Sequence, residues 1–167
     1  MSDPFVTKNI LKWYDLNKRS LPWRKNVSKE KRQYNTLISE FMLQQTQVAT
    51  VIPYFKKFVK EIPNIKKLAS VDNKKLIKLW EGLGYYSRAR NLKKAAQSVI
   101  KNFNGVIPDN FDDLKSLSGI GDYTANAILA IAFNKPYIPL DGNVERIIKR
   151  YLYLKKEKEI QKENLIE

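Results

Sequence analysis

The sequence predicts an all-α protein, an irregular bundle of helices. Three observations carry that expectation. Apolar residues recur at helical spacing nearly throughout, no stretch alternates with the period of a strand, and glycines, prolines and capping residues divide the chain into short helix-sized segments. The 167 residues are 43% hydrophobic, enough for one substantial core and part of a second.

Val6, Ile10 and Trp13 share one face of a first helix, closed by the Ser20-Leu21-Pro22 break. Arg24 to Arg32 reads as a basic loop with five positive residues and one acid. Helices follow from about Tyr34 through Gln45 and from Thr46 to Val59. Asp72 is placed to cap a helix reaching Glu81, which Gly82 and Gly84 end. Ser87 is placed to cap a long helix, Arg88 to Phe103, with Gly105 just beyond it. Asn110 starts a short helix closing at Leu117; an apolar one runs from Asp122 to Phe133; a last begins near Gly142 and carries Val144, Ile147, Ile148 and Tyr151. The charged tail, Lys155 to Glu167, reads as a helix cut off mid-run. Trp13, Trp23, Trp80 and at least one of Tyr85 and Tyr86 are expected in the core.

Composition narrows the chemistry. Lys and Arg number 31 against 17 Asp and Glu, a net charge of +14, which draws polyanions because each neutralised phosphate releases condensed counterions. Cysteine and histidine are both absent. That excludes a disulfide frame, a thiolate nucleophile, a Ser-His-Asp triad and a zinc site of the usual kind. Acid–base work falls to carboxylates, Lys or Tyr. The start, Met1-Ser2-Asp3-Pro4, is polar, and the longest apolar run, Ala127 to Phe133, is too short to span a bilayer. These features imply a soluble, cytoplasmic protein with no membrane partner.

Leu117-Ser118-Gly119-Ile120-Gly121-Asp122-Tyr123-Thr124-Ala125 is the first feature that goes beyond fold class. Without a Cβ at Gly119 and Gly121, the backbone is able to approach a phosphate and aim its N–H groups at it. The N-terminus of the following helix adds partial positive charge at the same spot. A Gly-x-Gly turn alone fits a tight connector better, but with the flanking Leu117, the Thr124-Ala125 pair and the basic surface the arrangement fits a helix-hairpin-helix clamp on the DNA backbone.

Ser39-Glu40-Phe41-Met42-Leu43-Gln44-Gln45-Thr46-Gln47-Val48 closely resembles the signature of the MutY-type adenine DNA glycosylases, of the helix-hairpin-helix (endonuclease III-like) superfamily. The likeness extends through Leu21-Pro22-Trp23-Arg24, the Gly82 to Asn91 stretch, the hairpin, and Leu140-Asp141-Gly142-Asn143-Val144, covering roughly residues 5 to 153 in order. It implies a six-helix module over 23–137, with the helix-hairpin-helix at about 111–133. Residues 1–22 and 138–167 would belong to a flanking helical cluster domain. It also implies a monomeric, bacterial, nucleoid-associated enzyme of base excision repair acting on double-stranded DNA that holds an adenine mismatch.

A base in a duplex must be turned out of the stack before its N-glycosidic bond is reachable. Cleavage through an oxocarbenium-like transition state calls for one carboxyl as acid and one as anionic partner. By resemblance, Glu40 donates a proton to adenine N7 and Asp141 stays ionised beside the sugar, oriented by Asn143. Read from the residues alone, Glu40 is a solvated helix glutamate or, if its apolar neighbours partly bury it, one with a raised pKa, and Asp141 is an N-cap that the helix N-terminus keeps anionic. Tyr123 stands where strand-cutting relatives carry a Schiff-base lysine, so the resemblance implies a monofunctional glycosylase whose pocket Tyr123 lines. The alternatives are a bifunctional glycosylase–lyase and a non-catalytic DNA-binding module. Resemblance makes Gln44 and Tyr85 the wedge entering the duplex, and Arg24, Arg88, Gly119, Gly121 and Thr124 the further DNA contacts. It also implies four cysteines after the last matched helix holding a [4Fe–4S] cluster, then a domain reading 8-oxoguanine. This chain binds no such cluster, having no cysteine, and the expectation is a truncated chain.

Overall fold

The computed structural model describes residues 4–152. Among them lie nine α-helices and a 3-10 turn, with no strand: α1 (Pro4–Asn17), the turn Pro22–Arg24, α2 (Lys29–Leu43), α3 (Val48–Glu61), α4 (Ile65–Ser70), α5 (Asn73–Trp80), α6 (Ser87–Asn102), α7 (Phe111–Lys115), α8 (Asp122–Phe133) and α9 (Gly142–Tyr151). The tail from Lys155 lies outside the described residues.

Local capping chemistry sets most boundaries. Ser28 accepts from the Lys31 N–H, Asn64 from Lys67, Asp72 from Lys74 and Lys75, and Asn110 from Asp113, each satisfying donors that a helix start leaves open. The Ser28 cap corrects the expectation of a loop to Arg32, because it starts α2 at Lys29 inside the basic stretch. α4, absent from the sequence reading, is a six-residue helix capped by Asn64. Ser87 is the first residue of α6 rather than its cap; Tyr86 holds that place without a side-chain bond.

α2 is the central helix: every residue from Gln33 to Met42 is buried, and α3, α6, α8 and the 3-10 turn pack around it. α8 supplies the opposing wall through Ala125, Ile128, Leu129 and Ala132. Trp23 meets Phe55 edge to face at 5.3 Å between centroids, and Phe58 meets Trp80 at 6.0 Å. Two of the expected core aromatics therefore sit inside, but Trp13 does not. It is 63% exposed, and α1 buries no residue at all, leaving Phe5, Ile10, Leu11 and Leu16 in solvent too. Tyr85 and Tyr86 are both exposed, against the expectation that one fills the core; the chain passes through left-handed Gly84 and Tyr85 directly after the buried Leu83.

Candidate active site

A cleft of about 810 Å³ opens where α2, α8, the 3-10 turn and the segment before α9 converge. Glu40, Arg24, Gln44, Tyr123, Asp141 and Asn143 all line it, so residues a hundred positions apart in the chain reach one hollow. Leu21, Trp23, Leu43, Ala127 and Ile131 give it an apolar floor.

Glu40 is 8% exposed, on the last full turn of α2. Burial penalises its charged form and raises its carboxyl to about 7, although the nearby Arg24 guanidinium pulls the other way. Asp141 behaves oppositely. Its Oδ1 accepts the Asn143 and Val144 N–H groups at 2.9 and 2.8 Å, capping α9. Those bonds, with the amide of Asn143 at 3.5 Å, hold the carboxyl below the usual carboxylate range. The capping reading of Asp141 is thus correct, and the cap itself keeps the group anionic. Tyr123 lines the same cleft: burial raises its phenol, and the charges of Glu40 and then Asp141 raise it further. Two carboxyls of opposite protonation facing one cleft can supply a proton and stabilise a cation in the same reaction.

The hairpin packs beside this cleft. Gly119 adopts φ +82°, and a Cβ there would lie 2.8 Å from the Asn91 Cβ and 2.9 Å from the Phe41 ring. Gly121 differs: it caps α8 with no side-chain bond, at φ −96°, and a Cβ would meet nothing within 4 Å. One glycine serves packing and the other leaves a helix N-terminus open to solvent. Gly119→Ala is therefore expected to lower stability by roughly 2–4 kcal/mol, combining a left-handed backbone with overpacking. Gly121→Ala is expected to shift it by no more than about 0.5 kcal/mol. Urea melts of the two variants check this.

Three assigned residues sit differently from expectation. Gln44 turns its amide inward, donating to the Gly119 carbonyl at 3.3 Å and the Thr124 hydroxyl at 3.4 Å. That bond ties the α2 end to the hairpin, and Thr124 is buried beneath it. The outward residue of the turn is its neighbour Gln45, exposed and at φ +56°. Arg88 faces inward: it is 6% exposed, and backbone carbonyls take both of its Nη groups. Arg19 and Gln45, both on the cleft wall, escaped the sequence reading. A polar residue in a turn looks the same whichever way it faces, so only the left-handed backbone at Gln45 marks it.

The residues do not fit an iron–sulfur cluster. The chain has no cysteine, and among the described residues no group of three or more His, Cys, Asp or Glu is placed to hold a metal. No described helix is long and apolar enough to cross a membrane.

Comparison with known proteins agrees with this geometry. The chain is 46% identical over 173 aligned residues to the adenine DNA glycosylase of Buchnera aphidicola subsp. Acyrthosiphon pisum, covering all of this chain and 48% of that protein. It is 44% identical to the human adenine DNA glycosylase, covering 85% of this chain and 27% of that one. The chain thus spans about half, or less, of the length of these relatives. Among solved structures it superposes on a thermostable thymine-DNA glycosylase with a TM-score of 0.77 at 27% identity, covering 87% of this chain and 65% of that one. A trapped endonuclease III–DNA covalent intermediate shares the fold, with a TM-score of 0.74 at 22% identity over 95% of this chain and 73% of that one. The model of the HhH-GPD superfamily of base excision DNA repair proteins matches residues 38–167, and the chain belongs to that family.

Proposed function

We propose that this chain carries the catalytic half of a monofunctional glycosylase that hydrolyses the N-glycosidic bond of adenine mispaired with 8-oxoguanine or guanine in duplex DNA. The observation that carries this reading is the pair of carboxyls on one cleft, Glu40 pushed up to about 7 and Asp141 held low. Protonated Glu40 donates to adenine N7, which turns the base into a better leaving group. Ionised Asp141 faces the sugar and stabilises the cation developing at C1′. Asn143 orients that carboxylate, and its own Oδ1 accepts from Arg146 at 2.8 Å, fixing the amide. Tyr123 brings a hydroxyl and no amine to the cleft, so on this reading the reaction stops at an intact abasic strand.

The same reading places the duplex across the cleft mouth. The open α8 N-terminus at Gly121 takes a phosphate, Arg24 a second contact, and the exposed pair Gln45 and Tyr85 fills the space that the extruded nucleotide leaves. Gln44 and Thr124 brace this apparatus from within. α1 and α9, with Phe5, Trp13, Leu16, Ile147 and Tyr151 exposed, belong to a second helical unit flanking the module at 23–137.

The test is single-turnover release of adenine from duplexes holding it opposite 8-oxoguanine or guanine, using the chain and a version extended to the length of its relatives. Adenine release with no borohydride-trapped protein–DNA adduct is the expected outcome. Trapping of an adduct, or no release by the extended protein, refutes the reading. Binding is expected to weaken about tenfold or more between 50 and 200 mM salt, since a footprint of several phosphates releases as many counterions.

A further inference from the structure

Arg88, the second residue of α6, donates to five backbone carbonyls in two separate turns. Its Nη1 reaches Phe41 O at 3.3 Å and Met42 O at 2.9 Å, and also bonds Gln44 O. Its Nη2 reaches Leu83 O at 3.0 Å and Gly84 O at 3.3 Å. The first set closes the C-terminus of α2, where a helix leaves acceptors unpaired and favours a cation. The second lines the turn that leads into Tyr85. A planar guanidinium with donors on two edges suits two carbonyl clusters at once; a point-like ammonium does not.

The two turns share a further feature. In each, the residue directly after a clasped carbonyl is a non-glycine residue in the left-handed region: Gln45 at φ +56° after Gln44, and Tyr85 at φ +44° after Gly84. Both are exposed, Tyr85 at 62%. A left-handed backbone at a side-chain-bearing residue persists only where its surroundings dictate it. Each turn has a local donor of its own, Thr46 Oγ1 on Gln44 O at 3.4 Å and Trp80 Nε1 on Gly84 O at 3.2 Å, but of these donors only Arg88 reaches both turns, and its guanidinium also lies 5.5 Å from the Tyr85 ring centroid.

We propose that Arg88 is a positioning residue which locks the Gln45 and Tyr85 turns in a fixed mutual register, so that the two side chains enter a duplex as one wedge. The proposal rests on the DNA reading above for what the wedge enters, but the locking itself is a property of the free protein. Both are testable on the full chain without turnover.

In Arg88→Met, hydrogen exchange of the free protein is expected to rise about tenfold or more at the amides of residues 44–47 and of residues 83–86 together, with α8 and the centre of α6 unchanged. Exchange that rises in only one turn, or across the whole chain with a falling melting temperature, overturns the locking. Added methylguanidinium restores the protection and equimolar methylammonium does not; equal restoration by both also overturns it.

The second measurement compares binding to a duplex containing a tetrahydrofuran abasic site with binding to an undamaged one. The unaltered chain is expected to prefer the former by about tenfold, and Arg88→Met to lose that preference while keeping its affinity for undamaged DNA and its salt dependence. Preference retained by Arg88→Met overturns the single-wedge role. No preference even in the unaltered chain, with the paired exchange change present, refutes the DNA reading and supports the lock.

Discussion

Glu40→Gln is expected to lower the single-turnover rate of adenine release by roughly 10²- to 10⁴-fold with little change in DNA affinity, the range a lost general acid accounts for. Glutamine keeps the volume and polarity of the side chain but has no proton of suitable acidity to donate. In the unaltered protein, release is expected to fall as pH rises through about 7, because the reactive form of Glu40 is the protonated one. The variant's residual rate should lack that limb, and a rate that tracks pH identically in both proteins would remove Glu40 from the reaction.

The same substitution has a stability signature of opposite sign. Glu40 is raised from 4.5 to about 7 by burial, so between those pH values the folded state holds a proton that the unfolded chain has released. Stability therefore falls as pH rises across that window, and above pH 7 the full penalty, at most about 3.5 kcal/mol, is in force. A neutral amide escapes it. Glu40→Gln is expected to melt higher than the unaltered protein at pH 8, with the difference gone below about pH 4.5. Activity lost and stability gained in one variant is the mark of a group kept buried for chemistry rather than for folding. Thermal melts at the two pH values check it.

How much of this was legible beforehand depended on the range of the interaction concerned. The caps at Asp72 and Asn110 were readable because capping acts within three residues, and the bounds of α8 because an apolar run follows directly on the glycine hairpin. Ser28 obeys the same chemistry, yet the charge of its surroundings suggested a loop and hid it. The short α4 has too few turns to display a period. Trp13 carries the helical spacing of a packed face without a partner among the described residues that buries it, and periodicity alone cannot tell the two apart. Arg88 failed for a different reason. Its partners lie 44 to 47 positions upstream as well as nearby, and a solvated arginine and a buried clasp have the same sequence. Glu40 and Asp141 were identifiable as residues by resemblance, while their shared cleft and their opposite protonation states are consequences of three-dimensional packing.

Asp141 admits a cleaner separation of fold from function than Glu40 does. It caps α9 through two backbone N–H groups, and the same oxygen atoms are the anionic wall of the cleft. Asparagine caps a helix about as well as aspartate, so Asp141→Asn should change stability by no more than about 0.5 kcal/mol, whereas Asp141→Ala should lose about 1 kcal/mol with the cap. Activity is expected to order differently. Both variants lack the negative charge that meets the oxocarbenium-like transition state, and both should lose about 10²- to 10³-fold in single-turnover rate, the scale of one removed electrostatic stabiliser. Activity that instead followed stability, near normal in Asp141→Asn and poor in Asp141→Ala, would mean that the carboxylate serves only the helix. Equal loss in the two, with unequal melting temperatures, assigns the charge to the reaction and the cap to the fold, and makes one side chain the point where α9's start and the chemistry of the cleft are joined.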